Sequence, residues 1–392
     1  MGALRISTRG IALIKIAVLA RILLPAQFGL FGIAMLVLAF LEIVTETGVN
    51  IFLIQEEGDI DSYVSTAWIV SIIRGLIISL FIILLAPLIS YFFKSPDSLK
   101  IILLISLTPL IRGFINPSVI KFQKELHFKK EFIYRFLIFA VDGTFAITFA
   151  FLTHAAVSLV YGLIAGAIIE VAASHLISRP RPRIRFEGEK LKLVISRGKW
   201  VTAAGFFNYL FENIDDGVVA RIMDTASLGI YQMAYKISSL PMTEVSDVIQ
   251  KVTFPVYSKI SEDKPRLKKA FLRSFWGTFV LVLPLSVALL LFPGPLVKII
   301  LGERWLGAVG VIKILAFFGI IRALTETTYP LFLSLKKQKY ISLITLISIL
   351  GLVITVIPMV KSYGIVGAGA SGLIGSVLAI PMTAYFLNKV FK

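Results

Sequence analysis

The sequence predicts an all-α polytopic membrane protein of about twelve transmembrane helices in two parallel six-helix lobes. Three observations carry this prediction. First, the 392-residue chain is 57% hydrophobic and only 16% charged, against about 45–50% and about 25% in soluble domains. So little polar surface does not cover a soluble globule, and so much apolar area excludes disorder. Second, the apolar residues fall in continuous runs of about twenty, enough to cross a hydrocarbon core about 30 Å thick. Barrel strands would alternate over about ten residues instead. Third, a block near the start of the chain returns in its second half.

The apolar segments run Thr8–Leu24, Phe28–Ile54, Ala67–Phe93, Ile101–Val119, Phe132–Leu152 and Val157–Ile177. Then comes the long polar stretch Ser178–Lys199, followed by Trp200–Met223, Leu228–Val256, Phe271–Phe292, Ala308–Leu335, Ile341–Val360 and Ile365–Leu387. This gives an N-terminal lobe over 1–178, a basic linker over 179–199 and a C-terminal lobe over 200–392. Lys15 and Arg21 interrupt the first segment and no small-residue cleavage site follows it, so it reads as a helix and not as a signal peptide. Pro87, Pro109, Pro241, Pro255, Pro284 and Pro330 lie in or at the ends of helices, where neighbouring helices satisfy the freed backbone groups.

Lys and Arg in the short loops set the orientation. With the N-terminus in the cytoplasm, cytoplasmic loops hold Lys121, Lys124, Lys129 and Lys130, then Lys259, Lys264, Arg266, Lys268 and Lys269, then Lys336, Lys337 and Lys339. The linker adds Arg179, Arg181, Arg183, Arg185 and further basic residues, and reads as a connector against anionic lipid. Opposite loops hold only Lys94, Lys100, Lys298, Arg304 and Lys361. Both termini are expected in the cytoplasm, and the protein in the cytoplasmic membrane. The net charge of +17 then belongs to membrane boundaries and does not point to nucleic acid.

Leu19–Ala34 aligns without gaps with Val219–Ala234. The identities are Ala20/Ala220, Arg21/Arg221, Ile22/Ile222, Ala26/Ala226, Gly29/Gly229 and Ala34/Ala234. Each block joins the first and second helices of its half. Parallel six-helix halves suit a transporter with its substrate site between the halves.

Ionisable residues in spanning segments are expensive and should face a cavity or a partner. Glu42, Glu46 and Asn50 make one stripe, and Asn208, Glu212 and Asp215/Asp216 another. Lys236, Glu244, Asp247 and Lys251 follow in the eighth segment. Positive charges are Lys15, Arg21, Arg74, Arg112, Arg135, Arg221, Lys313 and Arg322. Arginine grips a phosphate bidentately and stays charged in a low dielectric. Arg21, Arg74, Arg221, Lys236 and Arg322 are therefore the substrate-binding candidates. Carboxylates there can exchange protons or hold Na⁺, so Glu46 and Asp215 are the ion-coupling candidates. The first two helices of each half are expected to line a cleft.

Zero cysteines exclude a disulfide framework, a Cys-zinc site and a thiol nucleophile, and three histidines leave little for a metal. No Walker motif is present. A lone Asp59-Ile60-Asp61 is a weak echo of a metal–nucleotide site. No enzyme activity, resident cofactor or metal is expected, beyond coupling to H⁺ or Na⁺.

Several stretches resemble the Wzx-type polysaccharide flippase family: ARILLPAQFGLFGIA followed by ETGVNIFLIQ, FQKELHFKK at Phe122–Lys130, and NIDDGVVARIMDTASLGIYQMAYKISSLP at Asn213–Pro241. VTFPVYSKI and GERWLGAVGVIKILAFFG continue the match in order. The resemblance implies the multidrug/oligosaccharidyl-lipid/polysaccharide exporter fold, two lobes around a V-shaped central cavity. It also implies flipping of a polyprenyl-(pyro)phosphate-linked oligosaccharide by alternating access, with membrane lipids and other polysaccharide-assembly proteins as partners. Against the family pattern, the first helix is short, and an extra C-terminal helix pair is missing. A cation-coupled multidrug-type exporter of the same fold is the alternative. A membrane glycosyltransferase and a non-transporting scaffold are more distant readings.

Overall fold

The computed structural model describes residues 2–46, 48–49, 53, 60–184, 205–206 and 209–392; for 2–9, 240, 241, 244 and 247 it describes the backbone only. These residues are almost wholly helical, with no strand among them. They form two compact units, Met1–Asn213 and Ile214–Lys392, which part within helix 209–222. The linker expected at 179–199 is described only as far as Ile184.

In the first unit α1 is Gly2–Ile22, α2 Pro25–Val44 and α3 Asp61–Phe92. Short helices α4, Ser98–Ile105, and α5, Leu107–Arg112, run on into one another. A 3₁₀ turn, Pro117–Ile120, leads to α6, Lys121–Lys124. Helices α7, Phe128–Thr153, and α8, Val157–Ile177, form an antiparallel hairpin. His154 closes α7 in the left-handed region at φ 48°.

Two expected spans are corrected. The segment expected over Phe28–Ile54 stops as a helix at Val44. Thr45 ends α2 by returning its hydroxyl to the Leu41 carbonyl (2.6 Å), and Gly48 turns at φ 67°. The segment expected over Ile101–Val119 ends at Arg112 and turns by 78° into Pro117–Lys124. Pro117 forces Asn116 into extended backbone, and the Asn116 side chain caps the new turn by accepting from the Ser118 N–H at 3.0 Å.

In the second unit helix α9 spans 209–222 and enters from the first unit. It is followed by α10, Thr225–Lys259, α11, Lys264–Leu291, and α12, Pro293–Ile300. Next come α13, Ala308–Glu326, α14, Thr328–Ser334, and α15, Gln338–Phe391. α15 is itself a hairpin, reversing at Gly364, whose φ of 60° and ψ of −141° lie outside helical space. Its arms meet closely: a Cβ on Gly367 would lie 2.0 Å from the Met359 carbonyl oxygen, and Tyr340 stacks on Phe386 with ring centroids 4.0 Å apart. Helix α13 packs against α10, α11 and α15 and is the core of this unit.

Seven helices among the described residues are long and apolar enough to cross a bilayer, eight if the bent pair Ser98–Arg112 and Pro117–Lys124 is one span. The chain is thus an all-α polytopic membrane protein.

The repeat has a structural counterpart in each unit. α1 ends at Ile22 and α2 starts at Pro25; α9 ends at residue 222 and α10 starts at Thr225. Leu19, Ala20, Phe28, Gly29 and Ala34 are buried, and so are Val219, Ala220, Leu228, Gly229 and Ala234. The repeated residues therefore pack the same corner twice. Different side chains cap it. The Gln27 carboxamide oxygen accepts from the Leu24 N–H at 2.8 Å, whereas the Asp224 carboxylate accepts from the Ser227 N–H at 2.7 Å.

Candidate functional site

The first unit holds a cavity of about 440 Å³ lined by ionisable side chains from α2, α3, α5, α7 and α8. Its guanidinium groups are Arg74, Arg112 and Arg135; its carboxylates include Glu42, Glu131 and Glu170; Gln123 and Tyr134 complete its polar wall. Close helix approach makes room for them. A Cβ on Gly75 would sit 2.4 Å from the Pro109 carbonyl oxygen, so α3 and α5 touch beside Arg74.

Each arginine is already engaged. Arg74 donates to the Thr45 hydroxyl at 3.2 Å and the Glu42 carbonyl, and reaches the Glu46 carboxylate at 3.2 Å. Arg112 pairs with Glu170 at 3.1 Å. Arg135 pairs with Glu131 one turn away, and Glu131 also accepts from Gln123 at 3.1 Å. With Glu46, four carboxylates face three guanidinium groups. These pairs are partly exposed, Glu131 being the buried member, so each pairing is worth about 1 kcal/mol or less. The cavity is polar and hydrogen-bond-rich but carries no excess of positive charge.

Elsewhere in this unit Lys15 on α1 donates to both oxygens of Asp142 on α7, at 2.7 and 2.8 Å. Each side chain of this pair is about one-sixth exposed or less, at 16% and 14%. Asp142 lies where α8 presents Gly162 and Gly166 to it.

In the second unit the polar residues form a chain. Buried Asp215 accepts from the Tyr231 hydroxyl, and Asp216 accepts from the Gln232 amide at 3.1 Å. Tyr231 neighbours Tyr235, whose hydroxyl accepts from Arg322 at 3.1 Å. Arg322 also pairs with Glu326 at 3.0 Å and lies over the Phe318 ring. Beside this chain the buried Ser238 hydroxyl has no hydrogen-bond partner among the described residues.

The candidate residues thus fall in different places. Arg74 and Glu46 meet at the edge of the first unit's cavity. Arg21 ends α1 on an exposed face, away from that cavity's lining. Arg322 and Asp215 are linked through two tyrosines, while Arg221 ends α9 half-buried and Lys236 is exposed on α10. The stripe expected of Glu42 and Glu46 is corrected, because α2 ends between them; Arg74 on α3 reaches the Glu42 backbone carbonyl and the Glu46 carboxylate. The cavity draws on α3, α5, α7 and α8 as well as on Glu42 of α2. Asn50, Asn208, Pro241, Glu244, Asp247 and Asp59 lie outside the residues or side chains described. Asp61 is ion-paired to Lys121. Glu131, Asp142 and Glu170 escape the sequence reading: Asp142 and Glu170 are the lone carboxylates of their apolar runs, and Glu131 lies just before the run that begins at Phe132, among basic loop residues and one turn from Arg135.

No group of three or more metal-ligating side chains is assembled among the described residues. The histidines serve structure: His175 bonds the Phe114 carbonyl at 2.9 Å and packs edge-on to Trp68, His127 pairs with Glu125, and His154 is the α7 cap.

Solved multi-pass membrane proteins share this fold. The lipid II flippase MurJ in an inward closed conformation superposes with a TM-score of 0.76 at 17% identity, over 100% of this chain and 89% of that one. An inward-facing multidrug resistance MATE transporter gives 0.71 at 15% identity, over 97% and 94%. The chain belongs to the polysaccharide biosynthesis protein family, whose model matches residues 18–310. Among curated relatives, it is 24% identical over 316 residues to the lipopolysaccharide biosynthesis protein WzxC of Escherichia coli K12, covering 80% of this chain and 64% of that one. It is 24% identical over 313 residues to the succinoglycan biosynthesis transport protein ExoT of Rhizobium meliloti, covering 79% and 63%. The chain spans about three fifths of the length of these relatives.

Proposed function

We propose that this protein is a flippase that moves a polyprenyl-(pyro)phosphate-linked oligosaccharide across the cytoplasmic membrane for surface polysaccharide assembly. The family match over residues 18–310 carries this reading. Alternating access between two six-helix lobes, twelve helices in all, would open a V-shaped cavity to each side in turn. The basic loops orient both termini to the cytoplasm. The protein transports and does no covalent chemistry, with H⁺ or Na⁺ as the coupling ion and Glu46 and Asp215 as its sites. Other polysaccharide-assembly proteins are its natural partners.

The charge balance of the first unit's cavity refines the role of Arg74. With Arg74, Arg112 and Arg135 each facing a glutamate, a diphosphate entering there meets carboxylates as well as guanidinium groups. Sugar hydroxyls, which both donate and accept, suit such a wall better. Arg21, Arg221, Lys236 and Arg322, the last shared with Glu326, lie outside this cavity and remain candidates for the phosphate beside Arg74.

Purified protein in liposomes tests the reading. The expected result is ion-gradient-dependent transfer of a polyprenyl-diphosphate-linked oligosaccharide, none of the unlinked sugar, and reduced transfer by Arg21→Ala and Arg221→Ala at normal membrane insertion. Wild-type transfer in both variants removes these arginines from the site. A second reading, a cation-coupled exporter of small molecules, draws on the excess of carboxylates over arginines in the same cavity. Movement of a small organic cation without lipid-linked transfer would select it.

A further inference from the structure

The arginines of the first unit's cavity are all paired with carboxylates; those of the segment just after α8 have no such partner among the described residues. Arg179, Arg181 and Arg183 alternate with Pro180 and Pro182 and line a groove of about 790 Å³ with Ser65 and Asp61 of α3. Among the described residues no carboxylate lies within ion-pair distance of any of the three, and Asp61 is ion-paired to Lys121.

The track is built and held. The Pro180 carbonyl accepts from the Asn116 side chain at 3.1 Å and the Ser118 hydroxyl at 2.9 Å. The Arg183 N–H donates to the Ser65 hydroxyl at 3.1 Å, and Arg181 Nε donates to the His175 carbonyl at 3.3 Å. The prolines fix φ and lower the entropy that the segment loses on ordering. Apolar Leu176 and Ile184 flank the arginines at 73% and 89% exposure. Basic groups between exposed aliphatic side chains, at the end of a spanning helix, sit at the level of lipid headgroups.

We infer that Arg179, Arg181 and Arg183 form a binding site for a phosphate group carried on a lipid. Guanidinium groups match phosphate oxygens bidentately, and three of them in one groove hold more than one phosphate charge. The phosphate belongs either to an anionic phospholipid or to a polyprenyl diphosphate. The site stands apart from the transport reading, because occupancy needs no transport step.

The test uses the full chain in nanodiscs of zwitterionic lipid. Equilibrium binding of fluorescent phosphatidylglycerol and of fluorescent polyprenyl diphosphate is compared between wild type, Arg179→Gln/Arg181→Gln/Arg183→Gln, and an equal-charge control, Arg266→Gln/Lys268→Gln/Lys269→Gln, on exposed positions of α11. The groove variant should lose at least tenfold in affinity for one or both lipids while keeping the wild-type thermal midpoint; the control should lose less than twofold. Loss confined to polyprenyl diphosphate makes the groove a substrate-docking site, and loss confined to phosphatidylglycerol makes it a membrane anchor. Equal losses in groove and control variants, no loss in the groove variant, or no binding to wild type overturns the inference. A variant with a lowered midpoint is replaced by the lysine triple, Arg179→Lys/Arg181→Lys/Arg183→Lys. That triple keeps the charge and should bind between wild type and the glutamine triple; affinity equal to wild type would refute bidentate recognition.

Discussion

Arg112 and Glu170 are a pair whose members were not recognised together from sequence. They lie 58 positions apart, on α5 and α8, and meet at 3.1 Å. Removing one member leaves the other without its counter-charge in a cavity that water can enter, with the Arg112 side chain 36% exposed. Arg112→Ala should therefore destabilise the protein by about 0.5–1.5 kcal/mol. Arg112→Ala/Glu170→Ala together should cost less than the two single changes added, with a coupling of about 1 kcal/mol. Thermal unfolding in detergent measures the cycle, and strict additivity would mean that the pair contributes nothing. Polar residues at helical spacing were legible as candidates, because each ionisable group in an apolar run demands an explanation. Their partners were not legible, since an ion pair between helices leaves no spacing to read.

At the scale of the helices, periodicity and length placed most of the spans. The segment Val157–Ile177 matches its helix residue for residue. The departures are places where local chemistry overrides apolar character. Val49, Ile51 and Phe52 read as continuing a span, yet α2 has already ended at Thr45. Asn116-Pro117 likewise turns a chain that stays apolar on both sides. The contact of α3 with α5 at Gly75 makes an element-level prediction. Gly75→Ala places a methyl group against the Pro109 carbonyl and should destabilise by about 1–3 kcal/mol. Gly277→Ala, on α11 with no neighbour within 4 Å, should be neutral or slightly stabilising. Thermal midpoints of the two variants compare them directly, and equal midpoints would refute the close approach.

For the whole molecule, composition was the most informative signal, and the long apolar helices and the family match agree with it. The absence of cysteine permits a clean test of orientation. Single variants Lys129→Cys and Lys337→Cys should be protected from a membrane-impermeant thiol reagent in intact cells, while Lys94→Cys and Lys361→Cys should react. The reverse pattern would invert the topology. The Lys15–Asp142 pair has a consequence of a different kind, in how the protein enters the membrane. A lysine near the middle of a helix is penalised by about 2.5–3.5 kcal/mol at the insertion machinery, and its compensating carboxylate lies 127 residues later. At ordinary translation speeds that separation is on the order of ten seconds. During that interval α1 carries the penalty uncompensated, which favours its seating only once α7 has been made.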